Sequence, residues 1–103
     1  PGEHVISPSF RHAAAVLSVC RAYVGTDGGL HHAAAAVRTP ALVIFGGFIP
    51  PEVTGYDMHI NIAAPGKACG SYVRCQHCEV AMALITVDEV HRAAVSQLVR
   101  EAA

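Results

Sequence analysis

Charge is scarce in this chain: Asp, Glu, Lys and Arg make up 15% of its 103 residues, and aromatic residues only 6%. A surface this thinly charged leads us to expect that part of it meets another domain or subunit. Basic excess is missing as well, since seven Lys and Arg against eight Asp and Glu leave a net charge of −1. That balance lacks the positive field a phosphate backbone demands, and it excludes nucleic acid as a partner. Hydrophobic residues reach 52%, yet many are alanines in short blocks, and no apolar run approaches the ~18–20 residues that span a bilayer. The chain reads as soluble and cytoplasmic, with peripheral membrane association at most. Pro1-Gly2-Glu3-His4 offers neither an initiator Met nor a signal segment, and we expect a chain trimmed or excised from a longer one. There is no internal repeat and no low-complexity linker. A chain of this length fits one small domain, which buries roughly 60–70% of the surface exposed on unfolding.

What is present has the period of an α/β protein. His4-Val5-Ile6 is a short apolar run, and Ser7-Pro8 has the form of an N-cap followed by a proline at the first helical position. A helix over about 8–20 is expected, with Phe10, Ala13, Leu17 and Cys20 on its inner face. Residues 22–25 read as a buried strand, Thr26-Asp27-Gly28-Gly29 as a turn, and 30–37 as a helix of small side chains. Ala41-Leu42-Val43-Ile44-Phe45 is the strongest strand, apolar on both faces as in a parallel sheet covered by helices. The order of elements predicts parallel strands near 4–6, 22–25 and 41–45 in a Rossmann-like, three-layer α/β fold. From 46 to 80 the texture is mostly loop, with one strand candidate at 59–62. Thr86 with Glu89 then forms a capping box for a last helix over about 87–101, whose apolar stripe is Val87, Val90, Ala94 and Leu98.

The chemistry concentrates in Val24 to His32. A strand delivers the chain to a glycine-bearing turn and a helix opens directly after it, so the unpaired amides of the first helical turn lie at the carboxyl end of the sheet. Such an end attracts phosphate, which glycine lets approach the backbone. The competing reading is a plain strand-turn-helix corner with Asp27 as its N-cap. Of the paired histidines, His32 is the one expected to donate to a phosphate, whereas His31 points about 100° away around the helix, toward solvent.

Asp27-Gly28-Gly29-Leu30-His31-His32-Ala33-Ala34-Ala35-Ala36, followed by Thr39-Pro40 and Val43-Ile44-Phe45-Gly46, resembles the donor-binding signature of the ADP-heptose:lipopolysaccharide heptosyltransferases, glycosyltransferase family 9. The family pattern runs Asp-[Ser/Thr]-Gly-x-x-His-x-Ala-x-Ala, then Pro, then an apolar strand ending in Phe-Gly. Weaker likeness continues through Pro51, Thr54-Gly55-Tyr56 and Ile85-Thr86-Val87-Asp88-Glu89-Val90, similar to the family's closing Ile-[Ser/Thr]-Val-x-x-Val. The resemblance implies the C-terminal, donor-binding portion of a two-domain glycosyltransferase of the GT-B type. Residues 1–103 would then be one partial Rossmann-like nucleotide-sugar-binding domain. It places Asp27, Gly28, Gly29 and His32 against the diphosphate and sugar of a nucleotide-diphosphate sugar, and implies no cofactor. Position 28 is Gly where the family commonly has Ser or Thr, so backbone amides must serve where a hydroxyl would. An N-terminal acceptor-binding domain or subunit would supply the acceptor site and the catalytic carboxylate. No catalytic residue is therefore assigned in this chain, and it is not expected to transfer sugar alone.

Cys69, Cys75 and Cys78 form a second constellation. The Cys-x2-Cys pair with Cys69 and either His77 or His59 has the donor set of a tetrahedral zinc site, and the alternative function is a non-catalytic α/β interaction module built on it. The plainer reading is buried or oxidisable thiols. In the loop after the strong strand, Glu52 and Asp57 suit a turn, Tyr56 and Phe48 can flank a nucleobase or fill the loop's core, and Lys67 and Arg74 are its cations.

Overall fold

The computed structural model describes residues 2–46, 48–64 and 76–102. Three short strands, β1 (Tyr23–Thr26), β2 (Ala41–Phe45) and β3 (Ile60–Ala63), form one sheet in the order β1-β2-β3. Both pairings are parallel, with Val24 opposite Leu42 and Leu42 opposite Ile60. Five helices accompany them among the described residues: α1 (Phe10–Ser18), α2 (Gly29–Ala36), α3 (Pro51–Thr54), α4 (Gln76–Ala83) and α5 (Val87–Ala102). A parallel sheet whose strands are joined through helices is a Rossmann-like fragment.

Period-2 alternation in β2 sorts the two faces of the sheet. Ala41, Val43 and Phe45 are fully buried and share one core cluster with Leu17 of α1 and with Ala33 and Ala34 of α2. The alanines let α2 lie close to the strands. Leu42 and Ile44 face the other way. Leu42 is covered, while Ile44 lines an apolar groove of about 400 Å³ with Met82, Ile85, Thr86, Val87, Val90 and His91.

The strand expected at 4–6 does not form. Residues 2–7 are exposed and irregular, Ile6 being 79% exposed, and the third strand is β3 instead, within the loop-rich stretch. Val5 and Ile6 are too short a run to bury anything alone. α1 begins two residues later than expected because Ser9, not Ser7, is its N-cap, accepting from the His12 amide at 3.1 Å. Its inner face is accordingly Ala14 and Leu17, and both Phe10, 60% exposed, and Cys20 lie outside. The C-terminal end of α2 is closed by Arg38 in the left-handed region (φ 62°), with its amide on Ala35 and that of Thr39 on Ala34. Thr39 then donates its hydroxyl to the Leu17 carbonyl at 2.6 Å, tying α1 to this turn.

Thr86 caps α5 as its spacing with Glu89 predicts, accepting from the Glu89 amide at 3.1 Å. The helix does return to the sheet, but only the middle of the expected stripe, Val90 and Ala94, is half-buried. Val87 is 86% exposed and Leu98 is also exposed, whereas Gln97 is buried and donates Nε2–H to the Ala41 carbonyl at 3.1 Å. The Gln97 amide, its Oε1 unpartnered, thus adds a backbone hydrogen bond to the apolar contact of α5 with the sheet. Gln97→Ala should therefore destabilise the fold by about 1–3 kcal/mol in urea denaturation; a change within about 0.5 kcal/mol would mean that α5 is held by something else.

Candidate functional site

β1 ends at Thr26 and α2 starts at Gly29, so Asp27 and Gly28 make the whole connection at the carboxyl end of the sheet. Asp27 is still tied to the ladder, its amide donating to Ile44 at 3.0 Å. The N-cap of α2 is Gly28, not Asp27, and no side chain caps the amides of the first turn. The capping bond runs in reverse: Gly28 N–H donates to Nδ1 of His31 at 2.9 Å. His31 thus takes the role that Glu or Gln plays at the third position of a capping box.

His31 corrects the expectation drawn from helical spacing. Its side chain is not toward solvent but completely buried, between Phe45 of β2 and Tyr56. Nε2 lies 2.9 Å from the Thr54 carbonyl, which can only accept, so the hydrogen is on Nε2 and Nδ1 is free to accept from Gly28. The ring is a neutral Nε2–H tautomer. Asp27 Oδ1 stands 3.5 Å from Nδ1, with no hydrogen between them in this tautomer, and receives the Thr54 hydroxyl at 3.3 Å instead. Through His31 and Asp27, the turn at 27–31 is joined twice to Thr54.

The loop that meets the turn is itself shaped by close approach. Pro51 opens the single turn of α3, and the Gly55 amide closes it on the Pro51 carbonyl at 2.7 Å. A Cβ at Gly55 would lie 2.6 Å from that carbonyl oxygen, so glycine is needed there. Tyr56 follows, its carbonyl accepting from the His59 amide and from Asn61 Nδ2. Its hydroxyl lies 2.7 Å from Nδ1 of His32, which is exposed.

The four expected donor-site residues are therefore contiguous at one end of the sheet: Asp27 half-buried, Gly28, Gly29 and His32 exposed. Gly28 is extended and a Cβ there would meet nothing within 4 Å; one at Gly29 would make ordinary contact, 3.6 Å from Phe10 Cε2. Nothing in the fold demands glycine at either position. Asp27, His31 and His32 also place one potential ligand atom each within 4.8 Å of one another. Both nitrogens of His31 are already engaged, which leaves two ligands where zinc takes three or four from protein.

Cys69 and Cys75, and with them Lys67 and Arg74, lie outside the described residues. Of the remaining zinc candidates, His59 is buried in contact with the Tyr56 ring, with neither ring nitrogen partnered. Burial pushes its pKa below the ordinary 6.5. No sequence signal marks His59 or His31 as buried, because both are enclosed by the 54–56 loop.

The family model for glycosyltransferase family 9 (heptosyltransferase) matches residues 8–82, and the chain belongs to that family. The match takes in the turn, β2 and Tyr56 but stops short of Ile85–Val90. Among curated proteins and among solved structures, none matches the chain.

The lowered pKa of His59 has a definite sign. Below pH 6.5 the unfolded chain takes up a proton that the folded chain resists, so the stability present above 6.5 falls as the pH drops toward the folded value. His59→Phe should stabilise the protein by about 1 kcal/mol at pH 7, by removing unpartnered buried nitrogens, and should flatten the loss of stability between about pH 7 and 5. Urea denaturation at the two pH values checks both; an identical pH slope in parent and variant would contradict the assignment.

Proposed function

We propose that this chain is the C-terminal, donor-binding part of a heptosyltransferase-like enzyme of the GT-B type, and that it binds a nucleotide-diphosphate sugar at the 27–32 turn. The reading is carried by one observation: α2 opens at the carboxyl end of a parallel sheet, on two glycines that neither backbone conformation nor packing requires. Uncapped first-turn amides at that terminus suit a diphosphate, and the missing Cβ atoms suit its close approach. Asp27, a carboxylate beside an anion site, fits the sugar rather than the phosphates, as an acceptor for its hydroxyls. His32 fits the phosphates as a donor.

In the whole enzyme the sugar, of the heptose type, would pass from its nucleotide to an acceptor hydroxyl of lipopolysaccharide or a related cell-envelope glycan, with inversion at the anomeric carbon. Negative charge grows on the departing nucleoside diphosphate as that bond breaks, and the amides of Gly29 and Leu30 with His32 would stabilise it. The acceptor site and catalytic base would come from an N-terminal domain or another subunit, in the cytoplasm. No described helix is long and apolar enough to cross a membrane, which fits that placement. The zinc-module alternative draws no support from the described residues, whose one cluster of potential metal ligands, Asp27, His31 and His32, contains no cysteine.

Calorimetric titration with ADP-, GDP- and UDP-sugars tests the reading. The parent should bind one of them, while Gly29→Val and His32→Ala should weaken binding by about 1–3 kcal/mol with the melting temperature held. Parent-like affinity in both variants, or no binding by the parent at millimolar ligand, would overturn it.

A further inference from the structure

The proposed donor site leaves unexplained why an exposed histidine should present a hydrogen, rather than a lone pair, to an anion. A neutral imidazole has one of each, and with the wrong tautomer Nε2 of His32 would repel a phosphate oxygen. Within the described chain the His32 side chain makes one hydrogen bond, between Nδ1 and Tyr56 Oη. That bond decides the tautomer.

We propose that Tyr56 is a positioning residue for His32: its hydroxyl donates to Nδ1, keeps the ring hydrogen on Nε2, and so presents a neutral N–H donor to a phosphate oxygen of a nucleoside diphosphate. The inference rests on the donor-site reading for its ligand, and on geometry for its tautomer. The 2.7 Å separation is the usual length of a bond donated by a hydroxyl and shorter than the ~2.9–3.0 Å typical of an N–H donor. The imidazole lone pair is also the better acceptor and the phenol the more acidic donor, so O–H···N is the favoured direction.

Tyr56 is well placed to impose this. Its ring meets His32 edge-on, with centroids 5.6 Å apart and planes at 78°, and meets buried His31 in the same way at 5.8 Å and 67°. The His31 ring in turn lies 4.0 Å from that of His32, so His32 is held against two aromatic neighbours. Behind Tyr56, its carbonyl takes hydrogen bonds from His59 N–H at 3.0 Å and from Asn61 Nδ2 at 3.1 Å, and one residue before Gly55 the Thr54 carbonyl is bonded to His31. The hydroxyl is thus fixed from β3 on one side and from α2 on the other.

The test joins a spectroscopic readout that needs no ligand to a binding readout. In imidazole ¹⁵N spectra of the uniformly labelled parent at neutral pH, His32 should show Nε2 protonated and Nδ1 accepting. Tyr56→Phe keeps the ring and removes the hydroxyl; it should turn His32 into a mixture of tautomers and weaken the binding of ADP, GDP or UDP, whichever the parent binds, roughly tenfold. In a His32→Ala background the same substitution should change affinity little, which separates positioning through His32 from a direct contact. A parent spectrum with the hydrogen on Nδ1 overturns the proposal even if Tyr56→Phe does not fold, and so does a tautomer unchanged by the substitution. If the tautomer behaves as expected but the parent binds no nucleoside diphosphate, the donor-site reading fails with the phosphate role of Nε2–H, and the hold of Tyr56 on the ring stands by itself.

Discussion

The buried, uncharged ring of His31 is the interaction on which the candidate site depends. An imidazole taken wholly out of water must have both nitrogens satisfied, or it costs stability on the order of 1–3 kcal/mol for each orphaned group. Here one nitrogen accepts from the first amide of the α2 cap and the other donates to a carbonyl 23 residues on. The turn and the loop must therefore stay where they are. Because Gly28 spends its amide on His31, the amides left for an anion are those that follow it in the helix, and because Thr54 is fixed, Tyr56 stands over His32.

The sheet explains why this occurs at one end. All three strands run in parallel, so their carboxyl ends open on the same side, where the loops after β1 and β2 meet. The chain belongs to glycosyltransferase family 9, and the glycines at 28 and 29, needed by nothing in the fold, stand at that meeting. Elsewhere glycine serves the fold itself. At Gly55 a side chain would strike backbone, and at Gly25 it would strike the Tyr23 ring.

Where neighbours along the chain decide the outcome, the sequence was readable. β2 is apolar at all five positions and forms over the residues expected, and the Thr86 cap and the turn before α2 follow from local chemistry. Errors arise where distant residues decide. His31 and His32 are chemically the same and differ only by a step around the helix; the loop at 54–56 buries one and hydrogen-bonds the other. Gln97 lies outside the apolar stripe expected of the last helix, yet it is buried against the Ala41 carbonyl, and Val5 and Ile6 looked like a strand though no neighbour pairs with them. Asp27 precedes a helix as an N-cap does, yet Thr54 draws its carboxylate away.

The tautomer of His31 is the most direct measure of this account. Long-range ¹H–¹⁵N correlation of the imidazole rings at neutral pH, with a search for nitrogen–nitrogen coupling across the Gly28 amide, reads it without mutation or ligand. Nδ1 should be unprotonated and Nε2 protonated, with coupling between the Gly28 amide nitrogen and His31 Nδ1. Hydrogen on Nδ1, shared with the Asp27 carboxylate and without coupling to Gly28, would mean an ion pair in place of the cap and would contradict it.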